Sequence, residues 1–131
     1  MRLRIYVVED NIAIRENLVE CLEEMSQARI VGFAETQDDA ATWLSDNKTK
    51  WDLAVVDLFL QQGNGLVVLE ACRNRDLKQK MVVLTNYATD DIRRRCLELG
   101  ADAVFDKSTE LEEFTQFTLQ GVERTIGPTR W

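Results

Sequence analysis

Leu53-Ala54-Val55-Val56-Asp57 runs four apolar side chains without a break into one carboxylate. Strict alternation would mark a strand with one wet face. An unbroken run marks a strand covered on both faces, as parallel strands are. The same pattern recurs on either side. Leu3 to Val8, Ile30 to Ala34, Met81 to Leu84 and Ala103 to Phe105 read as four more strands. Between them lie helical stripes. Ile14, Leu18, Cys21, Leu22 and Met25 form one, and Asp39 to Ser45 forms a short helix anchored by Ala40, Trp43 and Leu44. Leu66, Leu69 and Cys72, with Val68 beside them, mark a third. Ile92, Cys96 and Leu99 mark a fourth, closed by Gly100 at C′. A fifth begins at Ser108, with Glu110 to Glu113 in a first turn where acids suit the helix dipole and Leu111, Phe114 and Phe117 on its apolar face. Five βα units in succession predict an α/β fold, a doubly wound (βα)5 three-layer sandwich around a five-stranded parallel sheet with right-handed crossovers.

At 131 residues, with 45% hydrophobic and 30% charged side chains, the chain has the composition of a single globular domain. The tail Gly127-Pro128-Thr129-Arg130-Trp131 falls outside the pattern. The net charge of −7 argues against direct partnership with nucleic acid or an anionic membrane, because phosphate binding needs a basic patch. The absence of histidine excludes a Ser/His/Asp triad, histidine-containing zinc sites and a phosphohistidine carrier role. Cys21, Cys72 and Cys96 are an odd number at wide spacing without a CxxC, and are expected to be reduced, buried core thiols. With no signal-like N-terminus and no apolar run of membrane-spanning length, a soluble, cytoplasmic domain is expected.

Open α/β sheets bind ligands outside the carboxyl ends of their strands. The first strand ends in Glu9-Asp10, the third in Asp57, the fourth in Thr85 and the fifth in Lys107. Three carboxylates at one edge repel each other beyond what one lysine neutralises. A hard divalent cation relieves them, and Mg²⁺ favours a few carboxylates plus water and a phosphate. Thr85 offers a hydroxyl and Lys107 a compact positive charge, which suit a phosphoryl oxygen. With a sheet order of 2-1-3-4-5, Asp57 lies between the acid pair and the Thr/Lys pair, the natural place for the nucleophile of an acyl phosphate. Singly, each residue has a plainer explanation. Glu9-Asp10-Asn11 can cap the first helix, Thr85-Asn86 can be a turn, and Lys107 can be solvated. It is their coincidence on one edge that carries weight.

Val7-Val8-Glu9-Asp10-Asn11, the run 55–65 (V-V-D-L-F-L-x-x-G-x-G), Val82 to Asn86, and Gly100 to Ser108 (G-A-D-A-V-F-D-K-S) together resemble the response-regulator receiver domains of two-component signalling, over roughly residues 3 to 125. The resemblance implies a flavodoxin-like receiver domain over 1–126 with 127–131 as a C-terminal tail. It also implies a signalling phosphoacceptor, which catalyses only its own phosphorylation and dephosphorylation. Asp57 matches the phosphoacceptor. Asp10 and Glu9 match the metal-binding acids, and the backbone carbonyl of Phe59 matches the remaining protein ligand to Mg²⁺. Thr85 and Lys107 match the hydroxyl and the lysine that meet the phosphoryl group. The donor implied is a sensor histidine kinase or phosphotransfer protein. The output implied is a changed α4-β5-α5 surface acting on a downstream protein, as a monomer or a phosphorylation-dependent dimer. Arg93-Arg94-Arg95 is a candidate part of that surface, or simply a solvated basic face. The alternative is a receiver fragment of a longer response regulator with a DNA-binding or enzymatic output domain.

Four departures from the family pattern involve five positions. Gln61 replaces a common proline, which predicts a more mobile loop. Ser108 follows the lysine where proline is usual in a cis bond. A cis bond before serine costs about 2.5–4 kcal/mol, so a trans bond and a rearranged loop are expected. Val104 occupies the usual aromatic switch position, with Phe105 expected in the core. Phe59 and Tyr87, both large and neither acidic, flank the path of hydrolytic water and suggest slow autodephosphorylation. Three other readings fit less well. A haloacid-dehalogenase-type phosphatase needs an Asp where Phe59 stands. A flavin mononucleotide binder would not place Glu9-Asp10-Asn11 at its phosphate loop. A pseudo-receiver would lack the acceptor chemistry present here.

Overall fold

The computed structural model describes residues 2–25 and 27–126, with side chains as far as residue 121. The tail 127–131 lies outside the described residues. The elements run β1 (Leu3–Val8), α1 (Ile12–Glu23), β2 (Ala28–Ala34), α2 (Gln37–Asp46), β3 (Leu53–Val56), α3 (Gly65–Ala71), β4 (Lys80–Thr85), α4 (Asp90–Glu98), β5 (Ala103–Asp106) and α5 (Leu111–Ile126). All strand pairs are parallel, and the sheet order is β2-β1-β3-β4-β5, as expected.

The strands separate two cores because successive side chains point to opposite faces. Leu3, Ile5 and Val7 of β1, with Leu53, Val55, Val82 and Leu84, meet Leu18 and Leu22 of α1 and Phe114 of α5. Tyr6 and Val8, with Ala54, Val56, Met81, Val83 and Val104, meet Ala40 and Leu44 of α2, Val68 and Leu69 of α3, and Cys96 of α4. Full burial of each large apolar side chain contributes about 1.5–3 kcal/mol. On the second face Tyr6 and Trp43 stack with centroids 4.1 Å apart. A β-carbon at Gly32 would lie 3.0 Å from the Tyr6 ring.

The helix ends follow their caps. Asn11, Thr36, Asn64 and Thr89 each accept a backbone N–H of the turn that follows. α2 therefore starts at Gln37, earlier than expected, because Thr36 caps it. Gly100, at φ 104°, follows the C-cap Leu99 of α4, as its position predicts. α5 starts at Leu111 rather than Ser108, because Asp106 holds residues 108 and 109 in a turn through its carboxylate.

Three apolar assignments are corrected. Ile14 and Cys21 on α1 and Leu111 on α5 are exposed, whereas Arg15 is buried. Of the cysteines only Cys96 is fully buried, Cys72 is half-buried as the C-cap of α3, and all three are free. Burial pushes the Cys72 and Cys96 thiols up, with Arg75 and Arg95 opposing it.

Gly65 fixes the turn below the third strand end. Its N–H donates to the Leu58 carbonyl at 3.0 Å, and a β-carbon there would lie 2.4 Å from the Asp57 carbonyl oxygen. Both contacts are to backbone, so the clash cannot be relieved by a rotamer change. Gly65→Ala is expected to lower unfolding free energy by about 1–3 kcal/mol, measured by urea denaturation.

Candidate functional site

The carboxyl edge of the sheet brings Glu9, Asp10, Asp57, Thr85 and Lys107 to the ends of four adjacent strands. One carboxylate oxygen from each of Glu9, Asp10 and Asp57 lies within 4.8 Å of the others. Asn11, not Asp10, caps α1, which leaves the Asp10 carboxylate available to the cluster.

Glu9 and Asp57 are buried, at 2% and 7% exposure, so neither charge is screened well by water. Lys107 answers both. Its Nζ lies 2.5 Å from Glu9 Oε1 and 3.3 Å from Asp57 Oδ2. The Asp57 carboxyl is nonetheless pushed up to about 6, first by burial; the Lys107 charge opposes the shift, the Glu9 charge adds to it, and the Phe59 N–H bond to Asp57 Oδ1 opposes it. The lysine does not compensate the three acids. That donor set, all carboxylate oxygen and gathered at a partly open edge, fits a hard divalent cation such as Mg²⁺.

The second layer of contacts was less visible in the sequence. The Asn11 N–H donates to Glu9 Oε2 at 3.3 Å, and Arg15 donates to the Glu9 carbonyl at 3.1 Å while stacking over the Phe33 ring. The Gln61 N–H donates to Asp10 Oδ2 at 2.5 Å, a bond that proline has no hydrogen to make. Residue 61 therefore ties its loop to the acid cluster, contrary to the looser loop expected. Thr85 is fully buried and its Oγ1 accepts the Tyr87 N–H at 3.2 Å. Phe59 and Tyr87 are about half exposed and pack edge to face, centroids 5.2 Å apart, at the rim. No cis peptide occurs among the described residues, so Lys107-Ser108 is trans, as expected. Val104 is buried, and Phe105 packs against Phe114 and Phe117 at the margin of the first core, half-buried.

Helices on both faces of a parallel sheet of order 2-1-3-4-5 define a flavodoxin-like domain, with an acid cluster, a lysine and a threonine at its carboxyl edge. The chain belongs to the response regulator receiver domain family, whose model matches residues 5–118. It is 31% identical over 124 residues to the acid tolerance regulatory protein ActR of Rhizobium meliloti, covering 93% of this chain and 61% of that protein. It is 30% identical over 111 residues to the transcriptional regulatory protein PhoP of Escherichia coli K12, covering 85% and 48%. The chain thus spans about half to three-fifths of these relatives' length. In fold it superposes on the signal receiver domain of the response regulator NarL from Mycobacterium tuberculosis with a TM-score of 0.80 at 21% identity, covering 93% and 97% of the two chains. Among the described residues no helix is long and apolar enough to cross a membrane.

The electrostatics predict opposite effects of two substitutions in the presence of a chelator. Asp57→Asn removes one buried charge and is expected to raise unfolding free energy by about 1–3 kcal/mol. Lys107→Ala leaves two buried acids unpaired and is expected to lower it by about 3–5 kcal/mol. Excess Mg²⁺ should narrow both differences in chemical denaturation.

Proposed function

We propose that this receiver domain accepts a phosphoryl group on Asp57, with Mg²⁺ held by Glu9, Asp10, Asp57 and the Phe59 carbonyl. The observation that supports it most directly is the buried acid trio with Lys107 placed against two of its members. Mg²⁺ supplies charge to the phosphoryl oxygens when bound. The chain's own groups do the rest. Asp57 presents the attacking oxygen, with Phe59 N–H and Lys107 orienting its carboxylate. As the acyl phosphate forms, Lys107 can exchange an acid partner for a phosphoryl oxygen. Thr85 rotates from the Tyr87 N–H towards the same group. Membership of the receiver family favours the phosphohistidine of a histidine kinase or phosphotransfer protein as donor, its P–N bond breaking and its imidazole leaving as the Asp57 oxygen–phosphorus bond forms.

A second reading concerns the whole protein. Relatives about twice as long bear the name transcriptional regulatory protein. This favours a receiver that works within a longer regulator having a nucleic-acid-binding output domain. In either case the receiver itself carries a net charge of −7, which disfavours direct contact with nucleic acid.

Incubation with acetyl phosphate and Mg²⁺, read by intact-protein mass spectrometry, is expected to add one phosphoryl group that is lost in Asp57→Asn and in chelator. A folded protein that gains no adduct and also fails to bind Mg²⁺ with beryllofluoride overturns the reading. The rim aromatics generate a further expectation. Phe59 and Tyr87 obstruct an in-line water without offering a base, so Phe59→Ala or Tyr87→Ala should speed phosphate loss severalfold, roughly 1 kcal/mol of barrier. Unchanged hydrolysis rates in both variants would remove that role.

A further inference from the structure

Of the three consecutive arginines on α4, only one turns inward. Arg94 pairs with Asp91 on the exposed face, and Arg95 is exposed. Arg93 makes bonds to three different segments. Its Nε donates to the Ala88 carbonyl in the β4–α4 loop at 2.9 Å, and its Nη1 to the Val104 carbonyl of β5 at 3.0 Å. Its Nη2 meets Glu110 Oε1, just before α5, at 2.5 Å. The rigid guanidinium fork makes these three bonds at once, which lysine cannot do.

Both ends of this connection lead back to the phosphoryl-binding pair. On one side Thr85 Oγ1 holds the Tyr87 N–H, and the next residue is Ala88, whose carbonyl Arg93 grips. On the other, Glu110 Oε1 also accepts the Asp106 N–H at 3.0 Å, and Asp106 precedes Lys107. The Glu110 N–H returns a bond to the Asp106 carbonyl at 2.9 Å. Lys107 and Thr85 are themselves joined through the backbone, N–H to carbonyl, at 2.9 Å. The loop is closed: Thr85, Tyr87-Ala88, Arg93, Glu110, Asp106, Lys107. Val104 is buried and contributes to this circuit only its carbonyl.

We propose that Arg93, through its bond to Glu110, is the positioning residue that carries the state of Thr85 and Lys107 to the outer surface formed by α4, β5 and the start of α5. The inference rests on the phosphoacceptor reading above and names the link that reading lacks. When Thr85 leaves the Tyr87 N–H, the Ala88 carbonyl is released from its place. Arg93 must then follow it or give it up. Either event alters the grip on Glu110 and hence the first turn of α5.

The test is hydrogen–deuterium exchange with and without beryllofluoride and Mg²⁺, each variant compared with itself. The parent protein is expected to change at 57–61, beside the acceptor, and at 108–114, beyond the circuit. Arg93→Ala and the more conservative Glu110→Gln should keep the change at 57–61 and lose most of that at 108–114. Arg93→Lys, which keeps charge but not the fork, should behave like Arg93→Ala. A retained response at 108–114 in Arg93→Ala and Glu110→Gln overturns the proposal alone. No change at 57–61 in the parent overturns the phosphoacceptor reading, and this proposal with it.

Discussion

Lys107 sits against two buried carboxylates contributed by strands that lie on the far side of β4, and much of the molecule is arranged to make that contact possible. Its Nζ bonds Glu9, 98 residues away in sequence, so the site exists only once β1, β3, β4 and β5 are in register. The central strand β3, buried along its whole length, meets its first charged side chains only at its ends, Asp52 and Asp57. At the carboxyl end Asp57 joins Glu9 and Asp10, whose charges repel each other. Breaking such a pair with Lys107 leaves the remaining acid buried without a partner, which is costly.

That repulsion is useful. A site that is fully satisfied by its own residues gains little from a ligand, whereas three acids and one lysine leave charge to be compensated. The surrounding bonds keep the cluster from relaxing. Asn11 and Arg15 hold Glu9, and Gln61 holds Asp10. Gly65 lets the chain pass close under Asp57. The geometry is thus set by two backbone N–H donors, one arginine side chain and one close approach, together with Lys107.

The strands and their terminal residues were legible because burial on both faces leaves an unbroken apolar run, and the polar residue that stops it stands out. Strand order, and with it the meeting of Glu9, Asp57 and Lys107, came from the resemblance to receiver domains, because an apolar run does not say which strand lies beside it. The helical faces were read less well. Hydropathy assigned Ile14 and Cys21 inward and had no means of seeing Arg15 turn in to meet a carbonyl. Likewise nothing in Arg93-Arg94-Arg95 marks the first as different from its neighbours. Its partners are two backbone carbonyls and an acid 17 residues on, and carbonyls are present at every position of any sequence. The contribution of Gln61 is hidden for the same reason, since it comes from a main-chain hydrogen.

The stacked pair of Tyr6 and Trp43 has a bearing on how chains of this shape diverge. The tyrosine ring comes so near Gly32 on the neighbouring strand that a single added carbon would press on it, and the indole lies close behind. Three positions from β1, β2 and α2 thus share one volume. A lineage that gains a side chain at position 32 needs the aromatic at position 6 to shift by a few tenths of an ångström or to shrink, and either change alters the platform under Trp43. These sites are expected to drift as a set, so an ancestor reconstructed one column at a time would combine residues that never coexisted.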